Sequence, residues 1–530
     1  MYNHYKYYEI TFDKDNLRTN VRYGRIGADK NDTFGEREYD YPLSMYWVKY
    51  YEKLSKGYED KSELKDFDNR QKKGTEYEPV KDKYSKSLIE FLIRKQKDYV
   101  ESNYSTGAAF SMEAVKKSEK ILEELKAYAD SSFSNKQFKI RELFKELVTI
   151  LPRRIADVSN YLNYITGLSS EALMEHIEQE EDLLNNFKDL YVKKENEAEE
   201  KADNKDILEA NNLTATCTDY KDIHMIEDKL DKDMAAMKTV LAVKNKYTND
   251  RYIACKKEKG IENRGCHLLW HGSRTENWWS IFKNGLTLNN NAIVTGKMFG
   301  QGLYFAPKAE KSMNYTSSLG SYWTGGNDKT GFMALYAVAM GKPYEIDHAL
   351  SSYFTEKDLK HGCHSVWGKA GRHLRNDECI IYDERQCDIK FLLEVDRERE
   401  KYLTPEFIKA ARNIKLNQLK ADKNGLRAYM SLRTPDSTFN RLNMDKNNKV
   451  EFIYTYDNTL TIKAYDKELK SSEKELKFNS YQTDYLKMMF KENFTSNDRE
   501  FDMLLEEKQK EVQKPKTKVK KKEIEMSLLA

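Results

Sequence analysis

The chain has 530 residues, room for about three or four domains, and its 90 Lys+Arg stand against 87 Asp+Glu. That balance excludes a global polycation, so any contact with nucleic acid has to come from local patches. Six cysteines without a C-x-x-C pair exclude a zinc finger, no stretch is long and apolar enough to span a bilayer, and MYNHYKYYEITFDKD lacks the apolar core of a signal peptide, so a reducing interior compartment is expected.

Residues 1–62 read as strands followed by a helix. Tyr7, Glu9 and Thr11 alternate with Tyr8, Ile10 and Phe12, a period of two. VRYGRIGADKND follows as a strand closing into a Gly-containing turn, and SMYWVKYYEKLSKGYEDK as a helix with a Lys-rich end. Residues 63–82, polar and almost continuously charged, read as a linker.

From 83 to 192 the period becomes 3.6. Val115, Ile121, Leu122, Leu125 and Tyr128 share one face in the stretch that starts at Ser111. Ser134 and Gln137 have the spacing of a capping box before Leu143, Phe144, Leu147, Ile150 and Leu151, and Pro152 interrupts that helix. A further helix runs from Ser170 through Leu183, Leu184, Phe187 and Leu190. Residues 193–206, KKENEAEEKADNKD, read as a charged tether with nothing to bury. The whole of 83–206 is therefore an all-helical module with its tether.

Between 207 and 396 the runs CHLLWH, GLYFA, FMALYAVAM, CIIYD and IKFLLEV are strand-like and separated by Gly-rich turns. This region alone is dense in Gly, His and Trp, so chemistry is expected here. After 397, Val450, Phe452, Tyr454 and Tyr456 alternate, Asp457-Asn458 turns the chain, and Leu460, Ile462 and Ala464 alternate again, a hairpin pattern. The tail KPKTKVKKK carries six lysines between Lys514 and Lys522.

Four pieces of the 207–396 region carry a resemblance: LLWHGSRTENWWSIFKNGL, GKMFGQGLYFAPKAEKSMNYT, HSVWGK and NDECIIYD. Singly, each is a common turn or strand edge. In this order and spacing they resemble the catalytic domain of the poly(ADP-ribose) polymerases. The resemblance implies a His-Tyr-Glu triad, filled by His271, Tyr304 and Glu378. It implies that Gly272 and Ser312 grip the nicotinamide amide, that Tyr315 stacks on the nicotinamide ring, and that Ser273 and Asn277 lie on the adenosine side. Gly302 belongs to the same pocket. NAD+ is the implied substrate, with proteins as acceptors and no metal.

These residue types suit the chemistry on their own account. Departure of nicotinamide leaves an oxocarbenium-like ribose, as in glycoside hydrolysis. A carboxylate such as Glu378 stabilises that charge. His271 holds and orients the ribose, and the tyrosines supply flat faces for a heteroaromatic ring.

Glu378 at the third position implies polymer extension. Three departures bear on it: only KAGRHLR bridges HSVWGK to NDECIIYD, Thr287 stands where the family carries arginine, and Lys297 where tyrosine is common. Extension and single-unit transfer therefore both stay open, as does a catalytically retired scaffold docking through 397–530.

The helical module resembles the regulatory domain of the DNA-dependent members, although a plain supporting bundle has the same pattern. VRYGRIG resembles their Trp-Gly-Arg (WGR) domain, with Tyr23 in place of the tryptophan. Tyr23, Arg22 and Arg25 are the implied contacts to DNA ends or nicks; an interface role is the alternative. The Lys-rich tail fits a nuclear signal, a nucleic-acid arm or a solvated end. The expectation is a monomeric, nuclear, α+β multidomain protein: a small WGR-like β/α domain, a helical regulatory domain, and a mixed α/β ADP-ribosyltransferase fold with antiparallel sheets around an NAD cleft.

Overall fold

A computed structural model describes residues 6–13, 16–25, 37–60, 62, 78–104, 111–129, 131, 135–155, 157–191, 205–288, 298–316, 330–351, 354–371, 374–432, 449–465, 474–475 and 478–513. The chain divides into two compact units. One comprises Met1–Thr216 and Thr239–Val395, the other Cys217–Lys238 and Asp396–Ala530. The second unit thus takes a segment from inside the region that the sequence pattern assigns wholly to 207–396.

The first unit opens with an antiparallel sheet of β1 (Lys6–Asp13), β2 (Arg18–Arg25) and β3 (Arg37–Pro42), followed by α1 (Met45–Ser55). Strand alternation decides which side chains meet. Tyr8 and Tyr23 face each other in register and their rings stack at 5.4 Å; Tyr23 stacks in turn on Tyr39 at 5.9 Å. Arg22, the neighbour of Tyr23, points to the opposite face and ion-pairs with Glu9 at 3.0 Å. Tyr23 and Arg22 therefore lie on opposite faces of the sheet, because a strand sends consecutive residues to opposite sides.

Five helices follow: α2 (Lys83–Asn103), α3 (Met112–Ala129), α4 (Lys136–Ile150), α5 (Val158–Thr166) and α6 (Ser170–Tyr191). Their stripes close on one core that includes Val115, Leu122, Phe144, Leu147, Leu162 and Ile177. Tyr7 of β1 packs against that core. Within it, Arg153 and Glu180 form an ion pair although they are only 1% and 2% exposed, and the Arg153 guanidinium lies 4.3 Å from the Tyr104 ring centre.

Three boundaries differ from the sequence reading. Helix α4 has Asn135 as its N-cap, without a side-chain hydrogen bond, so Gln137 falls out of capping-box register; Ser134 lies outside the described residues. The linker ends sooner than 82, since Val80 is buried and Asp82 caps α2 through the N–H groups of Tyr84 and Ser85. The tether ends sooner than 206. Buried Asp206 caps α7 (Ile207–Ala210) in a capping box with Glu209 and accepts the Lys81 N–H at 3.0 Å.

Two sheets build the rest of this unit. The five-stranded one has the order β4-β5-β12-β8-β6, from β4 (Leu213–Cys217), β5 (Met237–Asn245), β6 (Cys266–Ser273), β8 (Thr330–Ala339) and β12 (Cys387–Asp396). The four-stranded one has the order β7-β11-β10-β9, from β7 (Leu303–Phe305), β9 (Pro343–Ile346), β10 (Ser365–Gly368) and β11 (Glu378–Ile381). The β9–β10 pair is parallel, so this sheet is mixed rather than purely antiparallel. Strand β8 reads GFMALYAVA and is buried almost throughout, which explains its unbroken apolar run.

In the second unit, α8 (Tyr220–Leu230) joins a five-stranded antiparallel sheet: β13 (Ile414–Asp422), β14 (Gly425–Leu432), β15 (Lys449–Thr455), β16 (Leu460–Tyr465) and β17 (Lys474–Glu475). The hairpin read from 450–464 is its β15–β16 pair, and Asn458 takes the left-handed conformation of the turn at φ 68°. Leu426, Phe452 and Tyr454 are buried, and Tyr454 stacks at 5.3 Å on Phe490 of the helix Ser480–Glu492. His224 of α8 is held between Glu227 at 3.0 Å and Glu492 at 2.9 Å. Arg412 reaches Asp228 at 2.6 Å.

Candidate active site

The five- and four-stranded sheets of the first unit are joined by an isolated bridge, where Trp270 and Ala306 exchange backbone hydrogen bonds of 2.8 and 2.9 Å. His271 follows Trp270 on β6. Tyr304 lies on β7, opposite Ile380 of β11, and Glu378 begins β11 one residue before the Cys379–Phe305 pair. The fold thus brings His271, Tyr304 and Glu378 to neighbouring strands around one junction.

His271 Nδ1 donates to the Tyr304 carbonyl at 3.0 Å. A carbonyl can only accept, so in the neutral ring the proton sits on Nδ1 and Nε2 is an acceptor. The rings of Phe305 and Tyr336, at 5.6 and 6.0 Å, flank the imidazole. This hydrogen bond and the two rings orient the His271 imidazole.

The Tyr304 hydroxyl does more than the stacking expected of it. It accepts the Phe299 N–H at 3.0 Å and donates to the Gly300 carbonyl at 2.9 Å. Burial pushes its phenol far above the ordinary range, so it stays neutral. Gly300 has φ +77°, and a Cβ there would lie 2.4 Å from the Phe354 oxygen, which is why this turn needs glycine.

Glu378 is 8% exposed and ion-pairs with Lys311 of α11 (Ala309–Met313). Burial pushes the Lys311 amine down to about 8. The sequence reading passed over Lys311, although it directly precedes Ser312. Its charge becomes significant only once the fold turns α11 toward β11.

Gly272 lets α11 approach β6 backbone to backbone, since a Cβ at 272 would lie 2.1 Å from the Ser312 oxygen. Ser312 is buried there, and Tyr315 at the end of the same turn is 60% exposed. Gly302 serves β7 in a similar way: a Cβ would meet the Ile380 side chain at 2.3 Å.

Ser273 ends β6, and its hydroxyl accepts from Asn277 at 3.4 Å. Asn277 is held mainly from elsewhere. It donates to Asp182 at 3.0 Å and accepts from Asn186 at 2.8 Å, both on α6, while Gln96 of α2 donates to Asn186 at 2.8 Å. No local pattern signals this contact, because Asp182 and Asn186 are ordinary polar residues on a helix. Tyr23, Arg22 and Arg25 lie on β2 of the N-terminal sheet. Among the described residues, no group of three or more His, Cys, Asp or Glu is placed to hold a metal ion.

A family model described as the poly(ADP-ribose) polymerase catalytic domain matches residues 219–373, a span that contains His271 and Tyr304 and stops short of Glu378. Poly [ADP-ribose] polymerase 1 of Gallus gallus is 36% identical over 166 residues, 26% of this chain and 15% of that protein. Poly [ADP-ribose] polymerase 2 of Homo sapiens is 38% identical over 160 residues, 24% of this chain and 26% of that protein. The matched part is thus a small share of these longer relatives. A shorter one, the putative poly [ADP-ribose] polymerase-like 100L of Invertebrate iridescent virus 6, is 30% identical over 186 residues, 33% of this chain and 94% of that protein. With a relative matched over nearly its whole length and the motif residues gathered at one strand junction, the chain belongs to the poly(ADP-ribose) polymerase family.

Proposed function

We propose that this protein cleaves NAD+ between nicotinamide and ribose and transfers the ADP-ribose to a protein acceptor. The observation that carries this reading is the meeting of His271, Tyr304 and a buried Glu378 at the Trp270–Ala306 junction. The bond from the ribose C1′ to the nicotinamide nitrogen breaks, and its electron pair leaves with neutral nicotinamide. The acceptor's lone pair then bonds to C1′ and its proton is released. Glu378 stabilises the cationic ribose and can take that proton. His271, fixed by Nδ1, holds the ribose in place. Gly272 and Ser312 bind the carboxamide, and Tyr315 covers the ring.

The same reading makes α2–α6 a restraint on the site. Asp182 and Asn186 occupy the hydrogen-bonding groups of Asn277, which is assigned to the adenosine side, so NAD+ has to compete with α6 for it. Activation by DNA ends through the N-terminal sheet, and nuclear residence, belong to the same proposal. A second reading, transfer of single units, is favoured by the short connection between β10 and β11, residues 369–377.

Incubation with labelled NAD+, with and without nicked or blunt-ended DNA, tests the proposal. Ladders mean polymer, a single shifted band means single-unit transfer, and absence of label refutes the enzymatic reading. Glu378→Gln should lower transfer about 100- to 1,000-fold while NAD+ affinity is kept.

A further inference from the structure

The connection between β10 and β11 is closed by one side chain. Asp377 directly precedes Glu378, and both its oxygens are used. Oδ2 accepts the Trp367 indole N–H at 2.8 Å, and Oδ1 accepts the Ala370 backbone N–H at 2.7 Å. Burial works against charge on Asp377, but these hydrogen bonds outweigh it and hold the carboxyl below its usual range.

Trp367 is itself fixed. Its ring packs against the main apolar core, meets His267 edge-on at 5.5 Å, and lies under the Lys369 ammonium at 4.6 Å. The β10–β11 ladder ends at the pair Gly368–Glu378, so the residue assigned to transfer sits at the end of its strand. Strand ends open at little cost unless something ties them.

We propose that Asp377 and Trp367 form a positioning pair that fixes the carboxylate of Glu378. The proposal rests on the reading of Glu378 as the transfer carboxylate. Within the connection Leu374 packs beside Phe299 and Ile380 and its carbonyl accepts the Gly371 N–H at 2.8 Å, and the indole–carboxylate bond ties the residue next to Glu378 to β10. Neither residue touches the reacting atoms; they act through the backbone of Glu378. A displacement of about 1 Å at such a group costs on the order of 100-fold in rate.

The test compares wild type, Asp377→Ala, Asp377→Asn, Trp367→Phe, the Asp377→Ala/Trp367→Phe double variant and Glu378→Gln, by kcat and KM for NAD+ and by thermal melting. Asp377→Ala and Trp367→Phe should each lower kcat about 10- to 100-fold with KM for NAD+ unchanged. The double variant should lose no more than the worse single one. Asp377→Asn keeps one acceptor and should recover part of the rate. Trp367→Phe removes the N–H and keeps a smaller aromatic ring at the same place, so it decides the matter if Asp377→Ala fails to fold. Wild-type kcat in a folded Trp367→Phe overturns the positioning pair, as does independent, additive loss in the double variant. Full transfer by Glu378→Gln overturns instead the reading of Glu378 on which the pair depends.

Discussion

A buried carboxylate is stable as an anion only beside a partner, and for Glu378 that partner is Lys311. Removing the ammonium leaves a buried acid with its charge uncompensated, which is strongly unfavourable. Lys311→Met is therefore expected to lower transfer, which steady-state kinetics check, and a wild-type rate in this variant would remove Lys311 from the account. The same locality explains what could be read at this scale. His271, Tyr304 and Glu378 were legible because each sits in a distinctive run of glycines and aromatics. Lys311 and Asp377 were not, since a lysine in a short polar helix and an aspartate before a strand gain meaning only from what the fold sets against them.

At the scale of elements, the proposed restraint rests on the contact of α6 with the turn that carries Asn277. Asp182→Ala combined with Asn186→Ala should free Asn277, lower KM for NAD+ and raise the rate measured without DNA. Steady-state kinetics would reveal this, and an unchanged KM would leave the helices as mere support. Helices and strands themselves were largely visible in sequence, since the stripes of α3 and α6 and the apolar runs of β8 and β11 have clean periods. Their ends were not. Asp206 looks like the last residue of a charged tether, yet it caps a helix and binds Lys81, 125 residues away. A composition-based boundary cannot register one residue recruited by a distant backbone group.

At the scale of the molecule, the second unit is discontinuous in sequence, and His224 ties its two parts. Burial alone would lower the pKa of His224, but hydrogen bonds and charge from Glu227 and Glu492 outweigh it and raise the value to about 9. The folded pKa lies above the ordinary 6.5. Its stabilising contribution is therefore complete below about pH 6.5 and is lost as pH rises through about 9. Melting temperatures of the whole protein from pH 6 to 10 should fall across that window, and His224→Gln should flatten the fall. Equal slopes in both proteins would discount the clasp. The β15–β16 hairpin announced a folded addition, whereas the recruitment of Cys217–Lys238 into it had no local signature.

That discontinuity carries a cost in time during synthesis. The Tyr220 hydroxyl bonds to Asp498, 278 residues later. At about 5–20 residues per second, the ribosome delivers the second of these roughly 14–56 s after the first. Throughout that interval the partners of α8 from the C-terminal part, Glu492 and Asp498 among them, do not yet exist. Each nascent chain therefore carries α8 before its C-terminal partners have been made, the kind of transiently uncovered segment that invites misassembly.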